Sequence, residues 1–532
     1  MKYKFKLCTL IFVCLFVYTF FQGLLFAKDF ELRVLHTNDV HGRLIPFKLG
    51  ISDYDKEVGG LAGRYTLIKN ARKASANVLV LDAGDIMQGT LFFKTHKGKP
   101  DIQFMNELGY DAAAIGNHEF DNGCLALAER ISEAKFPFLS ANLVFDKKTN
   151  LNDKVKPYVI KDINGLKVGI IGLTTPDVVS ISVIGEKAKV YKTAKIVQKY
   201  IDKIDPETDV IIILSHLGVN KDEKLVKEIS GADLIVGGHT HTLLDEPVIL
   251  TDKKKEKIIV LQSGEFGEHI GDLKLNVHDD KVELVSYKMH SIDHSVSQDK
   301  VVAEQLEPFK KELDAAKTDI IANTTTNINV IRDQVRSQET SGGNFIVDAI
   351  KYVYPAVDIA LQQGGGIRSD RIIPPGGLTF LDIVEMTPFD SKIEIFDIKG
   401  KDLKLSLERA VSKLPFSSSA FLQVSGLTFI ADLSKQPQEM SSDYKKIVKK
   451  GKRIKSVMVN GQPLDEDKVY KVAAIDFLVN GGDAHISLRD GASNIERTGV
   501  SLTNVLKQYL TAKKTVAPIV DDRIKIINIP KE

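Results

Sequence analysis

Gly116-Asn117-His118-Glu119-Phe120-Asp121 is the stretch on which the reading of this chain turns. It follows an apolar run, Tyr110 to Ile115, read as a short buried strand that ends in a glycine turn. An amide, an imidazole and two carboxylates then leave the end of that strand together. Such a cluster is costly to bury unless a charge organises it, and a metal ion is the commonest organiser. Alone, the six residues fit a polar turn with a surface histidine equally well. Four further strand-like runs decide the matter, because each ends in the same chemistry: Asp39 with His41, Asp85, His216, and His239 with His241.

Working outward, Glu31 to Leu35 alternates as a strand and delivers Asp39 and His41, two residues apart on an extended segment and so facing one side. Val78 to Leu81 ends in Asp82-Ala83-Gly84-Asp85, where the glycine permits a sharp exit from the strand. Gly63 to Ala74 between them has helical spacing, which gives the βαβ pattern of a layered α/β domain. Val210 to Leu214 runs into Ser215-His216, and Leu234 to Val236 into Gly237-Gly238-His239-Thr240-His241. The carboxyl ends of parallel strands are where open α/β sheets build their sites. The donors suffice for two ions: Asp39, His41, Asp85 and His241 for one, Asp85, Asn117, His216 and His239 for the other, with Asp85 as bridge. Imidazole and oxygen donors without thiolate favour two divalent transition metals, Zn, Mn, Fe or Co, over Ca or Mg.

His36 to Arg43 and Tyr110 to Asp121 resemble the two signature stretches of the 5′-nucleotidase family within the calcineurin-like metallophosphoesterases. Gly84-Asp85, Ser215-His216 and Gly238 to His241 are similar to its remaining metal motifs, in the same order. The resemblance implies the metal assignment already made, and adds that His118 with Asp121 forms the catalytic dyad. It further implies that the ions activate the water that attacks phosphorus, while the dyad supports the developing charge.

Length and composition agree with an enzyme of this kind. A chain of 532 residues exceeds one compact core, so two domains are expected. Lys2, Lys4 and Lys6 precede an uncharged block from Leu7 to Ala27, the pattern of a secretory signal peptide over 1–27. The block is also just long enough to anchor the chain if uncleaved. Either way the rest is expected outside the cytoplasm, periplasmic or secreted. Beyond residue 27 the balance is 69 basic to 70 acidic residues, a net charge of −1, which favours neither a nucleic-acid polymer nor an anionic membrane. Cys124 is the one cysteine beyond that segment, so an internal disulfide is excluded there. It is expected as a buried hydrophobe on a helix.

Val296 to Lys317 reads as a helix joining two halves, with Pro308 kinking or restarting it. Past Ile320 the chain turns to Gly, Asn, Ser and short alternating strands, and the metal constellation does not recur. Arg332 and Arg336 lie four apart, Arg368 leaves a glycine loop, and Phe389 and Phe477 sit in turn-like settings. The resemblance makes this the family's nucleotide-binding domain: the three arginines meet the anionic part of the substrate, the two rings clamp the base, and Asp483 takes the ribose hydroxyls. Gln363 and Ser391 stand where relatives commonly have other residues, which leaves base preference open. Lys445 to Lys455 reads as solvated surface, before a hairpin turn at Asn460-Gly461.

The expected fold is thus a four-layer αββα metallophosphoesterase sandwich at 29–295, a linker helix at 296–319, and a smaller α+β domain at 320–528. The expected activity is removal of the 5′-phosphate from small nucleotides. UDP-sugar or 2′,3′-cyclic phosphodiester hydrolysis and a sulfate thiol-ester chemistry are alternatives on the same architecture. A nucleotide-binding protein without turnover is the reading from a different class.

Overall fold

The computed structural model describes residues 29–48, 57–184, 187–278 and 281–530. The expected signal segment, 1–27, lies outside them. Among the described residues no helix is long and apolar enough to cross a membrane.

In the first half, apolar runs buried on both faces form two sheets. One has seven strands, including β1 (Phe30–Thr37), β2 (Val78–Asp82) and β3 (Ala112–Ala114) side by side. They run parallel, with Val34 opposite Leu79 and Leu81 opposite Ala112. The second sheet has six strands, among them β4 (Val210–His216) beside parallel β5 (Leu234–Gly237). Because side chains alternate along a strand, each sheet supplies two apolar faces. Leu32, Val34, Leu79 and Leu81 meet Val210, Ile212, Leu214 and Val236 between the sheets. Leu35, Val80 and Ala113 face outward onto helices that carry Ile68, Met105 and Leu127. On the far side Ile211, Ile213 and Ile235 lie under Val197, Ile201 and Val226. Helix, sheet, sheet, helix is the four-layer sandwich expected.

The second half has its own core around a five-stranded sheet. Its strands run in the order Leu422–Ser425, Ile359–Gln363, Val469–Ile475, Lys392–Lys399, Ser493–Ser501. Between the halves lies α1 (Lys300–Thr318), begun by Asp299, which accepts from the Val301 and Val302 backbone N–H groups. Pro308 neither ends nor restarts it. Residues 304 and 308 are both exposed, so the carbonyl that a proline leaves unbonded faces water. Val302, Leu306 and Phe309 bind α1 to the first half, with Phe309 edge-on to Phe92 and Phe104. A small cluster of Leu91, Ala316, Leu381 and Val384 then ties both halves to the helix.

Candidate active site

The predicted ligand residues all lie just past the carboxyl ends of β1 to β5 or close the strand itself. Their backbone is unusual. Asp39, His41, Asp85, His239 and His241 have φ of 49°, 51°, 54°, 78° and 58°, a left-handed region that side chains with a Cβ seldom adopt. Such conformations cluster where surrounding structure over-determines a functional geometry. Here they turn each side chain back over the sheet ends, where Asp39, His41 and His241 form one group and Asp85, His216 and His239 a second.

Hydrogen bonds hold two of the ligand imidazoles, His216 and His241, through Nδ1 and leave Nε2 facing inward, while His41 Nδ1 is buried without a hydrogen-bond partner. His216 Nδ1 donates to the Ala83 carbonyl at 2.7 Å, which leaves Nε2 towards Asp85 Oδ2 at 3.1 Å. His241 Nδ1 meets Glu265, and its Nε2 lies 3.3 Å from both Asp39 Oδ1 and His41 Nε2. Asp39 Oδ1, Asn117 Oδ1 and His216 Nε2 are buried with no hydrogen-bond partner. Two imidazole nitrogens in contact, beside unpartnered carboxylate and amide oxygens, make a donor set that fits cations and is costly without them.

The electrostatics point the same way. Burial works against charge on His216 and His241, yet Asp85 beside the first and Asp39 beside the second hold them at about 10 and about 9. Burial keeps His41 and His239 far below the usual range. Burial also opposes the Asp85 carboxylate, but His216, His118 and His41 keep it ionised well below its ordinary range.

His118 Nδ1 lies 2.7 Å from Asp121 Oδ2, so the pair proposed as a dyad is hydrogen-bonded. Burial disfavours the imidazolium, but Asp121 and Asp85 raise its pKa above the ordinary value. The second half comes to this ring directly. Arg368 Nη2 is 3.4 Å from His118 Nε2, the Phe389 ring centre is 5.9 Å from that of His118, and the Arg368 guanidinium lies over the Phe389 ring. Arg336 stands behind with its buried Nε unpartnered. Burial first, then the neighbouring arginines, lower Arg368 to about 9 and Arg336 to about 10. Among the described residues neither makes an ion pair, and Arg368 is the one that reaches His118.

Arg332 differs from them. It donates to Glu265 at 3.0 Å across the cleft and lies 3.3 Å from His241 Nδ1, so a carboxylate already holds it. Phe477, on the four-residue helix Asp476–Val479, lies against Gly482, and among the contacts of the described residues it makes none with the Phe389 ring. Asp483 is buried at φ 53°, accepts from the Ser419 hydroxyl at 2.6 Å, and is raised above its ordinary value by burial.

Three residues at the site carry no role in the sequence reading. Asn38 Nδ2 donates to Asp39 Oδ2 at 2.7 Å while its Oδ1 accepts from Ser263. Glu265 fixes His241 and receives Arg332; nothing around it in the sequence marks it. Glu119 lies inside the opening motif, and its carboxylate accepts from four backbone N–H groups. Burial and the Asp85 charge push Glu119 up to about 8, with the Asp85 and Gly116 N–H donors acting in the opposite direction. The signal for Glu119 was visible as an acid two residues after Asn117.

Two family models match the chain: calcineurin-like phosphoesterase over residues 32–243, and the 5′-nucleotidase C-terminal domain over 320–488. The 5′-nucleotidase of Rattus norvegicus is 32% identical over 94% of this chain and 91% of its own. The chain belongs to the 5′-nucleotidase family. Membership makes it, by class, a metal-dependent phosphoester hydrolase. A snake venom 5′-nucleotidase from Gloydius brevicauda is 31% identical, over 94% of this chain and 89% of that one. The solved 5′-nucleotidase precursor of Thermus thermophilus superposes on this family member with a TM-score of 0.84 at 34% identity, covering 94% of this chain and all of that one.

Proposed function

We propose that this chain is an exported phosphohydrolase that uses two divalent transition metal ions to remove the 5′-phosphate from nucleotides. The observation that carries the proposal is the meeting at one cleft of two donor groups, the His118–Asp121 pair and Arg368, which among the described residues makes no ion pair. Asp39, His41, Asp85 and His241 would hold one ion, and Asp85, Asn117, His216 and His239 the other. When bound, such ions supply Lewis acidity that activates a water and draws charge from phosphoryl oxygens.

The chain's own groups account for the rest. Asp121 fixes the proton on His118 Nδ1, so that Nε2 faces the cleft as a donor or acceptor at the reacting group. Arg336 and Arg368 bind the anionic end of the substrate. Phe389 and Phe477 flank the base, and the Asp483 carboxylate accepts from the ribose hydroxyls. Residues 29–295 then hold the chemistry and 320–528 the nucleoside, joined through 296–319, with 1–27 as the export signal. A nucleotide would lie across both halves, which would have to part to admit it.

Phosphate release from AMP, UMP, UDP-glucose and 2′,3′-cyclic nucleotides tests the reading. The expected result is preference for nucleoside monophosphates, with two ions per chain by elemental analysis. Preference for the diester or the UDP-sugar overturns the substrate assignment. Binding of all four without turnover, in metal-loaded protein, overturns the enzyme.

A further inference from the structure

Two turns carry the metal-ligating residues nearest the middle of the site, one after β2 and one after β3. They leave neighbouring parallel strands and touch closely. A side-chain carbon at Gly116 would collide with Asp85 Oδ1, and one at Gly84 would lie 2.7 Å from the Gly116 nitrogen. Nothing bulkier than backbone fits between them, so their relative position depends on what grips both. The Glu119 carboxylate does so. Its Oε1 accepts from the N–H groups of Ile86 at 2.8 Å and Met87 at 3.4 Å. Its Oε2 accepts from Asp85 at 3.0 Å and Gly116 at 2.7 Å. The grip is returned by Asp85, whose Oδ1 accepts from the His118 N–H at 2.8 Å.

We infer that Glu119 is a positioning residue that clasps the two ligand-bearing turns and so sets the distance between Asp85 and Asn117. The inference rests on the dinuclear reading proposed above. Asp85 is held at φ 54°, where an aspartate stays only if its surroundings fix it. Three successive N–H groups, from residues 85 to 87, converge on the one carboxylate that fixes it; such a concave run of N–H groups is an anion cradle. Asp85 spends one oxygen on the partner turn, and Glu119 keeps its backbone from relaxing when its carboxylate is drawn towards cations. Glu119 itself is too occupied to be a ligand, because each oxygen already accepts two N–H bonds.

That double occupancy also chooses the test. In Glu119→Gln the amide NH2 faces two N–H donors whichever way it is turned, while side-chain volume is unchanged. Titration with Mn2+ alone, followed by the exchange-coupled signal of a manganese pair, should show about 10- to 100-fold weaker uptake than the native chain. Turnover should return when Mn2+ is raised in proportion. A purely structural role would lower the melting temperature without moving Mn2+ affinity, and that result overturns the inference, as does unchanged affinity. If Glu119→Gln does not fold, Glu119→Asp replaces it: both oxygens remain but reach only one turn, and the same loss of affinity is expected. Failure of both variants to fold in excess Mn2+ overturns the inference, since Glu119 then serves the fold alone. If the native chain itself takes up no pair of ions, the dinuclear reading fails, and the native titration shows this before any variant is made.

Discussion

The two halves of this chain put their chemistry on different kinds of backbone. In the first, the donors stand at the ends of strands buried on both faces, five of them in left-handed conformations, and His216, His241 and His118 are fixed through Nδ1 to Ala83, Glu265 and Asp121. In the second, Arg332 and Phe477 ride on four-residue helices, Arg368 follows the three-glycine turn Gly364–Gly366, and Phe389 lies in a loop. A cation site tolerates little error in donor placement, so it is set on the most rigid elements. The rings proposed to grip a base can stack on many partners, and loops suffice for that.

The largest test breaks the first half. Asp85→Asn removes the carboxylate proposed to serve both ions, and a loss of several kcal/mol in transition-state stabilisation is on the order of 10³-fold in kcat. Metal content should fall below two per chain, and every phosphate ester should be affected alike. Full activity in Asp85→Asn removes the contrast between rigid and adaptable halves.

A smaller change sharpens it from the other side. Phe477→Ala should lower kcat/KM for nucleoside monophosphates by roughly 5- to 150-fold, the worth of one base-stacking contact. Hydrolysis of an aryl phosphate without a base should stay as it is. Equal losses on both substrates would make Phe477 a packing residue. No loss on either would move the base elsewhere.

The smallest effect concerns a buried carboxylate in the first half that, among the described residues, belongs to neither donor group. Asp101 is buried with Oδ2 unpartnered, and burial pushes it from the ordinary 3.8 up to about 7. The native chain keeps this proton to about pH 7, whereas the unfolded chain releases it near pH 4. Between those values the unfolded state binds fewer protons, so stability falls as pH rises and stays lower above the native pKa. Asp101→Asn should therefore stabilise the protein by about 1–3 kcal/mol at pH 8 and by little at pH 4. A gain that is the same at both pH values would show that its charge is irrelevant.

What the sequence could show follows the same division. Strands covered on both faces leave continuous apolar runs, so Val78 to Leu81 and Val210 to Leu214 mark their own ends and the residues that follow. Asp85, His216, His239 and His241 were legible for that reason, and Asp39 and His41 from the alternating strand before them; the structure gathers the six into two groups. Glu265 was not, because it reaches His241 through space from a loop with no pattern around it. Arg332 and Arg336 look equivalent in sequence. Only the fold shows that one is held by Glu265 and that the other has, among the described residues, no ion pair. The hairpin at Asn460-Gly461 was legible because its two left-handed residues, at φ 48° and 78°, are what that dipeptide favours. Pro308 does not restart the helix, which runs unbroken from Lys300 to Thr318, since a rule about helix interiors takes no account of which face meets water.

The site's donors are spread from residue 39 to residue 241 and come from two sheets. Those sheets meet through the apolar layer between β1, β2, β4 and β5, led by Val34, Leu79, Ile212 and Val236. No short segment holds enough of the donors to capture an ion while the rest of the chain is loose. Metal therefore cannot nucleate this fold as it does in a small zinc module. Pairings of such sequence separation form late, so loading is an event of the finished sandwich. The two proposed ions, once in place, would then certify that both sheets have closed, and a chain misfolded in either one would be inert rather than a half-active esterase.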